Sequence, residues 1–188
     1  KLRYIYSIIK NIYKLNTIIG GPKMGKEVTN FSSCLKPMPS ILVSCRDKEG
    51  QDNALAVGYA CNCSFDPPMV MVGIVPSRYS YHMIKETGVF VVNLVPEELR
   101  KEYDYLGSHS GRDEDKLKVL GMEKGEGVKI NAPILLDCPV SIECTVVDSI
   151  ITGSHEMFVG KIEYIHAKEE LILEDGKIDY SKINLLKL

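Results

Sequence analysis

A chain of 188 residues, 45% of them hydrophobic and 26% charged, has the make-up of one soluble globular domain with a substantial core. Its formal net charge of −2 is unevenly spread: residues 1–26 hold six Lys or Arg and no acid, and the rest carries 17 basic against 25 acidic groups, a net of −8. An acidic body of this kind argues against a nucleic-acid partner.

The N-terminal stretch has Ile5, Ile8, Ile9, Ile12 and Leu15, with Tyr4 and Tyr13, on one helical stripe, while Lys10, Asn11 and Lys14 lie off it. Lys1, Arg3, Lys10 and Lys14 break up the apolar run, so stable membrane insertion is not expected, and no signal-peptide cleavage pattern follows. Residues 1–23 therefore read as an extension, an amphipathic helix that packs on the body or on a partner, or a piece of upstream sequence. A basic helix lying on a membrane surface is the second reading. Met24 marks a plausible native start, and residues 24–188 read as a single domain.

Beyond Met24 the hydrophobic period is mainly that of strands. Residues 40–46 form one, closed by a turn at Asp47-Lys48-Glu49-Gly50, and residues 53–60 form a second that makes a hairpin with it. The run Met69-Val70-Met71-Val72-Gly73-Ile74-Val75 suits a strand buried on both faces. A short helix is expected over 80–87, with Ser80 as N-cap and Gly88 as its stop, and then a strand over 89–95. Pro96 opens a helix reaching about Leu106, and a further short helix spans 112–120. Long strands at 140–151 and 156–166 and a terminal hairpin around Asp175-Gly176 complete the chain. About seven strands with short inserted helices predict a mainly β fold, an antiparallel β-barrel. No Gly-x-Gly-x-x-Gly is present, so a Rossmann site is not supported.

Six cysteines (Cys34, Cys45, Cys61, Cys63, Cys138 and Cys144) are scattered without a Cys-x-x-Cys, which fits reduced thiols and a cytoplasmic protein. His82, His109, His155 and His166 have no zinc spacing, so no metal site is expected. Ser64-Phe65-Asp66-Pro67-Pro68 is by itself only a rigid corner. Taken with Asn53, Arg78 and Ser80, it reads as one rim: small residues for a planar ligand, and at its end an Arg and the Ser80 and Tyr81 amides, opening a helix, for an anion. No paired acid and base stand out, and no catalytic side chain is assigned. Taken alone, His155 reads as a structural histidine and Lys116 as a solvated helix residue, while Cys61 and Cys63 read as apolar fillers.

Seven colinear segments carry a family resemblance. They are Lys36-Pro37-Met38-Pro39, Asn53 to Tyr59, Ser64 to Pro68, Arg78-Tyr79-Ser80-Tyr81, Gly88 to Asn93, Ser110 to Lys116 and Gly153 to Gly160. Over about residues 30–170 the chain resembles the flavin reductase-like FMN-binding split-barrel proteins, in particular their flavoredoxin branch. The resemblance implies an FMN-binding split barrel that forms a homodimer with the cofactor at the subunit interface. It places Asn53, Ala54, Leu55, Tyr59, Cys61, Asn62, Cys63 and Ser64 under the isoalloxazine ring. Arg78 and Ser80 would hold the phosphate or ribityl end, with Tyr81 beside them among the cofactor-binding residues, Lys116 would add a positive charge, and His155 would reach the flavin from a late strand. Tyr59 stands where the branch often has Trp, and Ser80 where Thr is usual. The implied function is electron transfer or NADH- or NADPH-dependent flavin reduction. The alternatives are a non-catalytic flavin-binding or storage module and a carrier reduced by another protein.

Overall fold

The computed structural model describes residues 35–187, together with Ile5, Ile8 and Ser32. Ile5 and Ile8 are helical and exposed; the rest of the expected extension over 1–23 lies outside the described residues. Pro37–Leu188 form one compact unit.

Nine strands form in this unit: β1 (Ile41–Arg46), β2 (Asp52–Val57), β3 (Ala60–Ser64), β4 (Met69–Ile74), β5 (Val89–Leu94), β6 (Lys124–Glu126), β7 (Pro133–Leu135), β8 (Val140–Thr152) and β9 (His155–Ala167). The helices are α1 (Tyr79–Thr87), α2 (Arg100–Ser108) and α3 (Lys116–Leu120). Seven strands make one antiparallel sheet in the order β2-β1-β5-β8-β9-β4-β3, and β6 and β7 pair separately.

That order requires the sheet to close. β2 and β3 are its opposite edges, yet only Gly58 and Tyr59 separate them in the chain. A flat seven-stranded sheet would hold its edges about 29 Å apart, while three residue steps span at most about 11 Å. The sheet must therefore roll until its edges meet, which makes a barrel split between β2 and β3. The Gly73 amide of β4 donates to the Tyr59 carbonyl at 2.7 Å, carrying the β3–β4 pairing one residue into the link.

Two apolar clusters follow from the alternation of strand side chains. Ile41, Val43, Leu55, Val57, Val72, Phe90 and Phe158 fill one, with Met83 and Ile84 of α1 packed onto it. The opposite faces of β1 and β2 present Leu42 and Ala54 to Tyr103 and Leu106 of α2 and Leu117 of α3. The helices thus sit against β2, and their connecting loops gather at its unpaired edge.

The structure redraws several expected boundaries. The strand expected over 53–60 ends at Val57, because Ala60 already opens β3 on the opposite edge of the sheet. The helix after Pro96 opens as a 3-10 turn over Glu97–Leu99. The helix expected over 112–120 begins only at Lys116, where Asp115 caps it by accepting from the Lys118 amide at 3.1 Å. The terminal hairpin reduces to one bridge between Ile172 and Ile178, flanked by 3-10 turns. Among the described residues no helix is long and apolar enough to cross a membrane.

Candidate functional site

Three segments meet at the free edge of β2 and enclose a cleft of about 270 Å³: β2 itself, the turn leading into α1, and the loop from α2 to α3. Each is tied to the next by a specific contact. Buried Asn53 donates from Nδ2 to Ser80 Oγ at 2.7 Å, joining β2 to the first turn of α1. The α2–α3 loop closes over both, and at its tightest point only glycine fits. A Cβ on Gly111 would lie 2.6 Å from Asn53 Oδ1 and 2.7 Å from Tyr79 Cδ1. Arg112 fastens the same loop, donating from Nη1 to the Ser77 carbonyl at 3.1 Å with its guanidinium 5.6 Å from the Tyr79 ring centre.

Ser80 is not the N-cap expected from the sequence. Arg78 occupies that position with extended backbone, and no side chain caps the helix. Ser80 is one residue inside α1, so its hydroxyl turns to Asn53 instead of to the backbone of the next turn. The first turn of α1 contains no acid, and the Tyr81 amide donates back to the Arg78 carbonyl at 3.1 Å, leaving the Tyr79 and Ser80 amides ahead of the helical ladder. Gly88, at φ 70°, ends the helix as expected.

Lys116 forms the floor of the cleft. It is 3% exposed, and its Nζ donates to the Ala54 carbonyl at 2.7 Å and the Leu106 carbonyl at 3.0 Å. Both acceptors are neutral, and burial pulls the ammonium down to about 8. Among the described residues the cleft is lined by three cationic side chains, Arg78, Arg112 and Lys116, and by no carboxylate. Its chemistry is that of an anion receptor: guanidinium forks, a fixed ammonium and the start of a helix.

The residues expected from the sequence divide by location. Asn53, Leu55, Arg78, Ser80 and Lys116 line the cleft, and Ala54 lies beneath it with its carbonyl on Lys116. Tyr59 and His155 are together elsewhere, their rings edge to face at 4.8 Å, where the β2–β3 link meets the start of β9. Cys61, Asn62 and Cys63 are exposed on edge strand β3, and Ser64 ends that strand beside a register shift. Burial and the neighbouring Cys61 push the Cys63 thiol up, away from the reactive thiolate. Tyr81 points away from Ser80, about 100° around α1. Its hydroxyl donates to buried Glu156, which also accepts from Lys85 Nζ and from Ser149 Oγ. Those three donors hold the Glu156 carboxyl down at about 2.

Sequence reasoning missed Ser77, Gly111 and Arg112 as parts of the site. The sequence does contain a signal for two of them, because Gly111-Arg112 sits in a polar loop just ahead of Lys116. Only the fold shows that this loop lands on Asn53 and Tyr79.

Residues 34–182 match the family model of the flavin reductase like domain. The chain belongs to that family. An uncharacterized protein of Archaeoglobus fulgidus is 34% identical over 157 residues, covering 83% of this chain and 86% of its own. The crystal structure of flavoredoxin from Methanosarcina acetivorans superposes with a TM-score of 0.79 at 32% identity, covering 87% of this chain and 86% of that one. The NADH:riboflavin 5'-phosphate oxidoreductase of Streptomyces pristinaespiralis is 25% identical over 139 residues, covering 74% of this chain and 76% of its own. The expected split barrel is the fold observed, and the family places the protein in flavin-linked electron transfer or reduction.

Proposed function

We propose that the protein is an FMN-dependent oxidoreductase that accepts electrons from NADH or NADPH and passes them to a flavin or a redox partner. The observation that carries this reading is the cleft with Arg78, Arg112 and Lys116 on its walls and no carboxylate among the described residues that line it. A phosphate monoester is the part of FMN that such a site fits. Riboflavin 5'-phosphate is also named in the activity of the Streptomyces relative, as is NADH.

The bound flavin would supply the hydride and electron chemistry, and the protein's work is to bind, orient and exclude water. Arg78 and Arg112 would grip the phosphate through their planar forks, with the first amides of α1 adding donors. Lys116 would supply charge from the floor of the cleft. Asn53 fixes the Ser80 hydroxyl at the lip, and Gly111 lets the α2–α3 loop lie close enough to shield it. The exposed β3 segment from Cys61 to Ser64, with Tyr59 and His155 at the β2–β3 link, would carry the ring.

The protein would act as a homodimer with the flavin between subunits. Val147, Ile150 and Ile151 near the tip of the β8–β9 hairpin are 50–77% exposed, apolar surface of the kind a partner covers. The five described cysteines are all free, in keeping with a cytoplasmic setting.

The test is a visible absorption spectrum before and after addition of FMN, followed by NADH or NADPH without oxygen. A flavin spectrum that bleaches with either nucleotide is expected. Protein that stays colourless after FMN is supplied overturns the reading, and bound flavin that neither nucleotide bleaches makes the protein a carrier or store. Arg78→Ala should weaken FMN binding more than Cys61→Ser or Cys63→Ser, and equal affinities would remove the phosphate role of Arg78.

A further inference from the structure

We infer that Lys116 sets the charge selectivity of the cleft, favouring a doubly charged phosphate monoester over the same ligand without phosphate, because this buried ammonium has no counter-charge until an anion arrives. The inference rests on the cleft being the phosphate end of the flavin site.

The geometry leaves the ammonium incomplete. An ammonium has three donors, and two of them are taken by the Ala54 and Leu106 carbonyls. The Leu106 carbonyl belongs to the last turn of α2, so Lys116 also completes that helix end, where positive charge is favoured. Partial charges on two carbonyls do not neutralise a buried cation. Among the described residues Lys116 takes part in no ion pair. The groups that face it do not make up the deficit. Arg78 on the α1 side repels it, and the Cys45 thiol of β1, itself held up at about 12 by burial, is neutral. Glu114 in the preceding loop attracts it without pairing: it is not among the residues lining the cleft, it makes no ion pair with Lys116, and its Oε1 accepts from the Tyr105 hydroxyl at 2.7 Å. His109 lines the same cleft, stacked on Tyr105.

A phosphate dianion in the cleft favours the charged form of Lys116, so binding is linked to keeping this proton. With the ligand-free ammonium at about 8, the contribution is complete below that pH. It falls as pH rises, by up to about tenfold per unit, until the value of the bound state is reached. A ligand lacking phosphate gains nothing from the proton, so its affinity does not carry this dependence.

The experiment titrates the intact protein with FMN and with riboflavin at about pH 7, 8 and 9.5, a range in which the phosphate ester stays dianionic. Taking the ratio of the two affinities cancels pH effects common to both ligands. The preference for FMN should fall by roughly thirtyfold from pH 7 to 9.5. Lys116→Arg, which stays charged, should keep its preference over the whole range, and His109→Gln should retain the wild-type fall. A wild-type preference that does not change with pH overturns the inference and needs no variant to fold. If neither flavin binds at any pH, the flavin reading itself fails. Inorganic phosphate compared at about pH 8 and 9.5 then decides the role of Lys116, with weakening upholding it and unchanged affinity overturning it.

Discussion

The carboxamide of Asn53 reaches the hydroxyl of Ser80 across 27 residues of sequence and 2.7 Å of space. Both groups are buried, so this one bond holds the free edge of β2 to the first turn of α1 and sets the width of the cleft between them. Replacing Asn53 by Ala leaves the Ser80 hydroxyl without its donor and should cost about 1–3 kcal/mol. The double variant with Ser80→Ala should cost less than the sum of the single changes. Urea unfolding of the four proteins measures the coupling, and strict additivity would show that the bond carries no weight.

Gly111→Ala tests the closure of the α2–α3 loop. The added Cβ meets Asn53 Oδ1 at 2.6 Å and Tyr79 Cδ1 at 2.7 Å, so the loop must lift or Asn53 must shift. Overpacking of this kind should lower stability by about 1–3 kcal/mol and weaken FMN uptake together. Normal uptake at unchanged stability would mean that the loop does not bear on the cleft.

Glu156 gives a pH dependence of known sign. Its folded carboxyl lies at about 2 against an ordinary 4.5, because Lys85, Ser149 and Tyr81 all donate to it. A depressed carboxyl stabilises the fold above its unfolded value, so this contribution is present above about pH 4.5 and is lost as pH falls toward 2. Denaturant unfolding across that window should show a shallower acid loss in Glu156→Gln than in the parent protein. Parallel curves would remove Glu156 as a source of acid lability.

The exposed hairpin tip of β8 and β9 bears on assembly. If Ile150 and Ile151 are covered by a second copy, Ile151→Glu should shift the protein from dimer to monomer in light scattering and lower its flavin occupancy. A parent protein that is monomeric at high concentration would put the flavin site within one chain.

Much of the barrel was legible because its strands obey local rules. Residues 40–46, 69–75 and 89–95 are apolar runs of strand length, and β1, β4 and β5 fall within them. Gly88 stops α1 one turn after its last apolar residues, Met83 and Ile84, as expected. β6 and β7 escaped notice because three residues give no period to read. Of the site, Asn53, Arg78, Ser80 and Lys116 were legible through the colinear family segments, and all four line one cleft. Tyr81 stood beside Ser80 in the same motif, but on a helix adjacent residues point about 100° apart, and it serves Glu156 instead.

By itself the sequence determined most of the longer strands, the family and the supply of cationic and small residues, because hydrophobic period and turn chemistry are local properties of the chain. Only the tertiary structure decided that Gly58-Tyr59 joins opposite edges of one sheet, and that Arg112 and Gly111 close over Asn53. It also decided that Lys116, which on sequence alone reads as a solvated helix residue, is a buried ammonium without an acid. Burial and the pairing of charges depend on which distant segments meet, and strand order and loop closure settle that only when the sheet rolls up.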